Sequence, residues 1–166
     1  LKEIDLTCID TSNCYNMYSM FTNCKTLSRV NLSNFNTSNA ETMEHMFSLC
    51  QCLPYIDVSS FNTSNVRNMN NMFFGCANLE TIVFDKFDMS KLSNCNSMFE
   101  ECLKLKTIYV RSLSAPSQNG PSGSSMFAFC DSLVGGAGTK YEVYRPHVIV
   151  GACIDRDFNG TWGVDK

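Results

Sequence analysis

The stretch Met72-Phe73-Phe74-Gly75-Cys76-Ala77-Asn78-Leu79 decides the predicted fold, because its phrase Met-Phe-x-x-Cys-x-x-Leu occurs five times in the chain. The copies begin at Met20, Met46, Met72, Met98 and Met126, at steps of 26, 26, 26 and 28 residues. A fixed period of this length is typical of stacked repeat architectures. The sequence therefore predicts a solenoid of about five units, with a two-residue insertion in the last.

Each unit begins with a segment in which apolar and variable residues alternate. In the third unit this segment runs Leu53-x-x-Ile56-x-Val58. Such alternation predicts a short strand with one buried face. We expect strands one unit apart to pair in parallel and to stack into one sheet.

A second apolar pattern follows the strand and a polar corner. In the second unit, Ala40, Met43, Met46 and Cys50 recur at steps of three and four residues, which predicts a helix of about three turns. The predicted fold class is α/β, with strand–corner–helix units starting near residues 1, 27, 53, 79 and 105. The array spans 1–133, is irregular at 111–125, and is followed by a C-terminal cap at 134–166. Because the chain begins inside a repeat, we expect it to be a piece of a longer protein.

Residues of the repeated phrase are predicted to stack inward as a packing ladder. Its members are Cys24, Cys50, Cys76, Cys102 and Cys130, Met20, Met46, Met72, Met98 and Met126, and Phe21, Phe47, Phe73, Phe99 and Phe127. Cysteine and methionine could suggest metal or redox chemistry, but identical residues in every unit perform the same packing role. We expect no metal, no cofactor and mostly reduced thiols.

Composition and charge exclude several classes of function. The 166 residues are 44% hydrophobic and carry a net charge of −3, so we expect no nucleic-acid partner. No apolar run reaches the length of a membrane span, and we expect none in this fragment. His45 and His147 have no recognisable catalytic partner, so we expect no catalytic residues and no enzyme.

Binding is expected from residues that vary between units and point outward from the strands. The candidates are Arg29, Tyr55, Asp57, Tyr109 and Arg111, which include the types enriched at interface hot spots. The alternative is that these are ordinary solvated side chains.

The units LSRVNLSNFNTSNAETMEHMFSLCQC (27–52) and LPYIDVSSFNTSNVRNMNNMFFGCAN (53–78) resemble the BspA-like leucine-rich-repeat proteins of bacterial cell surfaces. The resemblance implies a right-handed leucine-rich-repeat solenoid in a secreted or surface-displayed protein. It also implies a non-catalytic recognition or adhesion module. Its partner would be a host, matrix or surface protein, or a glycan, bound through the exposed sheet face or the 111–125 loop. The alternative function is a passive spacer that projects another domain.

Overall fold

The computed structural model describes residues 2–114 and 121–133, together with 155–156 and 162–163. Seven strands lie in this part of the chain: β1 Glu3–Asp5, β2 Arg29–Asn31, β3 Tyr55–Asp57, β4 Thr81–Asp88, β5 Thr107–Ser114, β6 Asp155–Arg156 and β7 Trp162–Gly163. β1 and β2 form a two-stranded sheet, and the other strands form a five-stranded sheet in the order β3-β4-β5-β7-β6.

Strands of neighbouring units pair in parallel with a register of one repeat. Glu3 lies opposite Arg29 in the first sheet, and Tyr55 lies opposite Thr81 in the second. β7 is antiparallel to β5, with Tyr109 opposite Gly163. Paired residues of parallel strands are therefore 26 positions apart, which is the period of the sequence.

The length of each strand depends on the residue at its third position. Asp5, Asn31 and Asp57 end the first three strands, and each side-chain oxygen accepts a hydrogen bond from the backbone N–H two residues later, at 3.0, 3.2 and 2.8 Å. These Asx turns divert the chain after three residues. Val83 and Tyr109 cannot make the turn, and β4 and β5 continue for eight residues.

No helix occurs in the described residues, so the predicted helices are wrong. The stretch after the second corner is instead a run of turns with two left-handed residues per unit, such as Ser19 (φ 55°) and Asn23 (φ 64°). Alternate N–H groups of this stretch donate to the next unit: Ser19 to the Glu44 carbonyl at 2.9 Å and Asn23 to the Ser48 carbonyl at 2.7 Å. An α-helix requires those donors within its own segment, so the two arrangements exclude each other.

The prediction of a right-handed α/β leucine-rich-repeat solenoid is therefore wrong. The described chain has short strands in two small sheets, with neither a helical layer nor one continuous sheet. The apolar spacing suggested a helix because backbone hydrogen bonds close a turn every three residues here. The Cys24 N–H donates to the Phe21 carbonyl at 3.2 Å, and the Leu27 N–H donates to the Cys24 carbonyl at 3.0 Å. Successive turns bring apolar residues inward at steps of three and four, as a helix also does.

Most residues of the packing ladder lie in the core. The rings of Phe21, Phe47, Phe73, Phe99 and Phe127 form a stack with centroids 5.0–5.5 Å apart and planes within 10° of parallel. Met20 is 40% exposed and Cys24 is half-buried, so the ladder is less buried in the first unit than in the second, third and fourth. Parallel offset rings at this separation add favourable aromatic contact to the burial of their area.

The ladder thiols of the second, third and fourth units point along the stack and form no disulfide. Cys50, Cys76 and Cys102 each donate their thiol proton to the carbonyl of a phenylalanine 29 residues earlier, at 3.2, 3.1 and 3.1 Å. Burial raises the pKa of the Cys50 thiol to about 12 and moves the pKa of Cys76 and Cys102 well above its ordinary value. These thiols are protonated hydrogen-bond donors at neutral pH.

Buried threonines join the corners of neighbouring units. The Thr37 hydroxyl donates to the Asn62 carbonyl at 2.9 Å and accepts from the Asn62 N–H at 2.7 Å. Thr63 makes the same two bonds to Asp88. The fourth unit has Met89 at this position, buried at 1% exposure, so its corner lacks a hydroxyl.

The predicted domain limits fall partly outside the described residues. Residues 111–114, expected to start the irregular loop, belong to β5, while 115–120 lie outside the described part. Residues 121–133 return to the turn pattern, and Ser122 bridges Asn94. Within the predicted cap at 134–166, only β6 and β7 are described.

Phe73 tests the contribution of the ring stack. Phe73→Ala removes a fully buried ring between two neighbours. We expect the free energy of unfolding to fall by about 3–5 kcal/mol. The matched control is Phe129→Ala, because Phe129 is 52% exposed, and its effect should stay within about 0.5 kcal/mol. Urea unfolding followed by circular dichroism measures both, and equal losses would contradict the ring-stack assignment.

The buried thiols predict a loss of stability at alkaline pH. In the unfolded chain a thiol releases its proton near its ordinary pKa of 9.0, whereas folded Cys76 keeps it to higher pH. The free energy of unfolding is therefore unaffected below pH 9 and falls above it, by up to about 1.4 kcal/mol per pH unit for each such thiol.

Urea unfolding over a pH series checks this slope. Cys76→Ala should reduce the number of protons released on unfolding by about one, whereas Phe129→Ala, which removes an exposed ring and no thiol, should leave that number unchanged. A slope identical in Cys76→Ala and the parent chain would show that this thiol is not the cause.

Candidate functional site

The outward face of β3, β4 and β5 carries most of the predicted binding residues. Tyr55 shares a row with Thr81 and Thr107, and Asp57 shares the next row with Val83 and Tyr109. Tyr55 is 49% exposed and Tyr109 is 51% exposed. With strands about 4.8 Å apart and a rise of about 3.3 Å per residue, the Cα atoms of the two tyrosines, two strands and two residues apart, are separated by about 12 Å. We call this surface, from Tyr55 to Tyr109, the sheet face.

The sheet face is rigid because the residues between its outward positions are buried. Ile56, Ile82 and Ile108 point inward and are 1%, 0% and 3% exposed. Each isoleucine pairs with the next in register, so the outward residues cannot shift along the strands without breaking the hydrogen bonds between them. The tyrosines are therefore displayed at fixed separations.

Tyr55 and Asp57 interact within β3. Partial burial is the main reason that the pKa of the Tyr55 hydroxyl is raised, and the nearby charge of Asp57 and its hydrogen bond to Tyr55 raise it further. Asp57 also accepts a hydrogen bond from Ser59 N at 2.8 Å. Its carboxylate thus ends the strand close enough to the tyrosine to affect the pKa of its hydroxyl.

The remaining predicted binding residues are placed differently. Arg29 is exposed on β2, which lies beside β3 but belongs to the other sheet. Arg111 lies in β5, and the prediction that its side chain binds a partner falls outside the described residues. The structure therefore brings Tyr55, Asp57 and Tyr109 onto one sheet and leaves Arg29 beside it.

A cleft next to Asp57 was missed at the level of the sequence. It has a volume of about 480 Å³ and is lined by Asn31, Ser33, Asp57, Ser59 and Ser60, with Val30 and Leu32. The Ser60 hydroxyl donates to the Leu32 carbonyl at 2.9 Å across two units. The sequence signal for this cleft is an Asp or Asn residue followed two positions later by Ser at the end of both β2 and β3. Each such pair forms an Asx turn, and the two turns lie side by side and line the cleft.

The described residues restrict the chemistry that the sheet face can offer. They hold no group of three or more His, Cys, Asp or Glu residues arranged to bind a metal ion. The same part of the chain contains no helix that could span a membrane. What the sheet face offers is hydrogen bonding and aromatic contact.

Comparison with known proteins places the repeats in a family. Residues 2–112 match the family described as Mycoplasma protein of unknown function, DUF285. The chain belongs to this family. The predicted membership of the BspA-like leucine-rich-repeat family is therefore wrong, because DUF285 is a different family. No curated protein matches the chain, and no solved structure matches it.

Asp57→Asn tests the coupling within the DUF285 sheet face. The variant removes the charge but keeps the side-chain oxygen, and Asn31 shows that asparagine makes the same turn. The pKa of Tyr55 should fall towards, but not reach, 10.0, because burial remains. NMR titration of labelled tyrosine rings, with Tyr55→Phe for assignment, measures the change. Asp5→Asn, at the equivalent position of the first unit, is the control and should leave the Tyr55 pKa unchanged.

Proposed function

We propose that this DUF285 chain is a non-catalytic recognition module that binds a protein partner through the sheet face. The observation that carries the proposal is the fixed pair of half-exposed tyrosines, Tyr55 and Tyr109, on one hydrogen-bonded sheet. Tyrosine is among the residues most enriched at interface hot spots. Its ring supplies a large contact area while only two side-chain torsions must be ordered.

The surroundings of the tyrosines favour binding at low entropic cost. Ordering of flexible side chains and loops is a main penalty of association, and a paired strand has already lost that freedom. Asp57 and Arg29 add charges of opposite sign near the aromatic pair. Such charges orient an approaching partner and accelerate its association more than they raise affinity.

The expected cell-surface or secreted location needs its own test. It rested on the BspA-like resemblance, which the family match has replaced. We keep it as a proposal, with a host, matrix or other surface protein as the partner. Protease treatment of intact cells checks it, because only surface-displayed copies are digested.

A variant without both tyrosines tests the binding proposal. Tyr55→Ala and Tyr109→Ala together should weaken binding to a responsive protein in a panel of immobilised matrix proteins by about tenfold or more. Surface plasmon resonance measures the change. The matched control is Tyr15→Ala, because Tyr15 is 70% exposed but lies outside the strands, and it should bind as the parent does.

The alternative of a passive spacer predicts the opposite result. Inter-unit hydrogen bonds along the strands, corners and turns would make the repeats a stiff spacer. Unchanged binding in the double variant, with an unchanged melting curve, would overturn recognition by the sheet face, whereas a parent chain that binds no protein of the panel would favour the spacer.

A further inference from the structure

A second depression lies away from the sheet face, on the side of the molecule formed by the stacked turns. It has a volume of about 490 Å³, within the usual range of ligand pockets. Its wall includes Tyr18 and Thr22 from the first unit, His45 and Leu49 from the second, and Asn71 and Phe74 from the third. We call it the turn groove.

The backbone beneath the turn groove is the same in every unit. Ser19, His45 and Asn71 occupy one repeat position and have φ values of 55°, 56° and 55°. Their N–H groups donate to the next unit at 2.9, 3.0 and 2.9 Å. The groove is therefore held by the hydrogen bonds that hold the stack.

The side chains of the groove, in contrast, differ from unit to unit. Ser19, His45 and Asn71 are three residue types at one position, and Thr22 and Phe74 are two types at another. Packing of the repeated inward residues does not account for this variation at His45, Asn71 and Phe74, which are partly exposed, although Ser48, at the position of Phe74, is buried. The groove is thus the place on this side where the units are chemically distinct.

An aromatic corner stands at one end of the groove. Tyr18 is 55% exposed, and its ring meets that of His45 edge to face, with centroids 6.0 Å apart and planes at 79°. The Thr22 hydroxyl donates to the His45 carbonyl at 2.6 Å, which joins the first two units. Tyr18 therefore presents an aromatic surface from a fixed position.

The polar groups of the groove carry no carboxylate, ammonium or guanidinium. They are the His45 imidazole, the Asn71 amide and the hydroxyls of serine and threonine. Glu44, at the position equivalent to Tyr18, is held by the side-chain amides of Asn68 and Asn70 at 2.9 and 3.0 Å and does not line the groove. A ligand that matches this wall is neutral, rich in hydroxyl groups and flat on one apolar side.

We infer that the turn groove binds a neutral saccharide. A pyranose ring places its C–H groups on the Tyr18 or Phe74 ring, and its hydroxyls bond to His45 and Asn71. An aromatic face attracts C–H groups, and the imidazole, amide and hydroxyl groups beside it can bond the hydroxyls of a sugar. The turn groove shares no residue with the sheet face, so saccharide binding can be tested independently of protein binding by Tyr55 and Tyr109.

Saturation-transfer NMR on the full chain tests the inference, with maltotriose, cellotriose, chitotriose and lactose as the probes. We expect transfer to at least one of them, and we expect it to be unchanged between low and high sodium chloride because the ligand is neutral. Tyr18→Ala should weaken the binding by about tenfold or more. His45→Asn should also weaken it, and asparagine tolerates the left-handed backbone at this position.

Two control variants distinguish binding at the groove from binding elsewhere on the surface. Tyr15→Ala removes an exposed tyrosine three residues from Tyr18 and should leave saccharide binding unchanged. The double Tyr55→Ala and Tyr109→Ala variant should also bind saccharide as the parent does, whatever it does to protein binding. Melting curves confirm that each variant is folded.

Several results would overturn the inference. These are no transfer to any of the four oligosaccharides, an affinity that is undiminished in Tyr18→Ala, or an equal loss in Tyr15→Ala. Loss in the Tyr55 and Tyr109 double variant would move the saccharide to the sheet face. Binding of a neutral peptide at the groove with no saccharide binding would identify a different ligand class and equally reject the proposal.

Discussion

The structure depends on hydrogen bonds between neighbouring units. In each turn stretch, alternate backbone N–H groups donate to carbonyls of the next unit, and these bonds fix the spacing of the units. In the second unit, His45 and Leu49 donate to Asn70 and Phe74 at 3.0 and 2.7 Å. Met43 and Phe47 donate to the next unit as well, and they alternate with His45 and Leu49, which adopt left-handed φ values of 56° and 62°. Each such non-glycine residue costs roughly 1–2 kcal/mol, which the satisfied donor and the packing beneath it offset.

The core and the surface both follow from this connection between units. Because each unit is held about one strand spacing from the next, equivalent phenylalanines stack 5.0–5.5 Å apart and equivalent thiols reach the carbonyl of the preceding unit. Inward residues must then be the same in every unit to fill the same space. Outward residues are free of that requirement, and Tyr55, Tyr109, Tyr18 and His45 all occupy outward positions.

The strand ends show how one residue type changes the site. Asp57 both ends β3 and interacts with Tyr55, so a structural turn residue is also part of the candidate binding surface. Val83 at the same repeat position allows β4 to run on to Asp88 and pair with β5 along its length. The sheet is therefore longest along β4 and β5, the strand that carries Tyr109.

The sequence by itself determined the period, the inward residues and the parallel register, because identical side chains every 26 positions can satisfy packing only if equivalent positions stack. It also placed Tyr55, Asp57 and Tyr109 outward, since residues beside buried isoleucines in a strand face the other side. Only the tertiary structure decided between helix and turns, because both return apolar residues inward every three or four positions. The choice depends on where the N–H groups find acceptors, and those acceptors belong to the next unit. The turn groove was hidden for the same reason: Tyr18, His45 and Phe74 are far apart in sequence and meet only when three units are stacked.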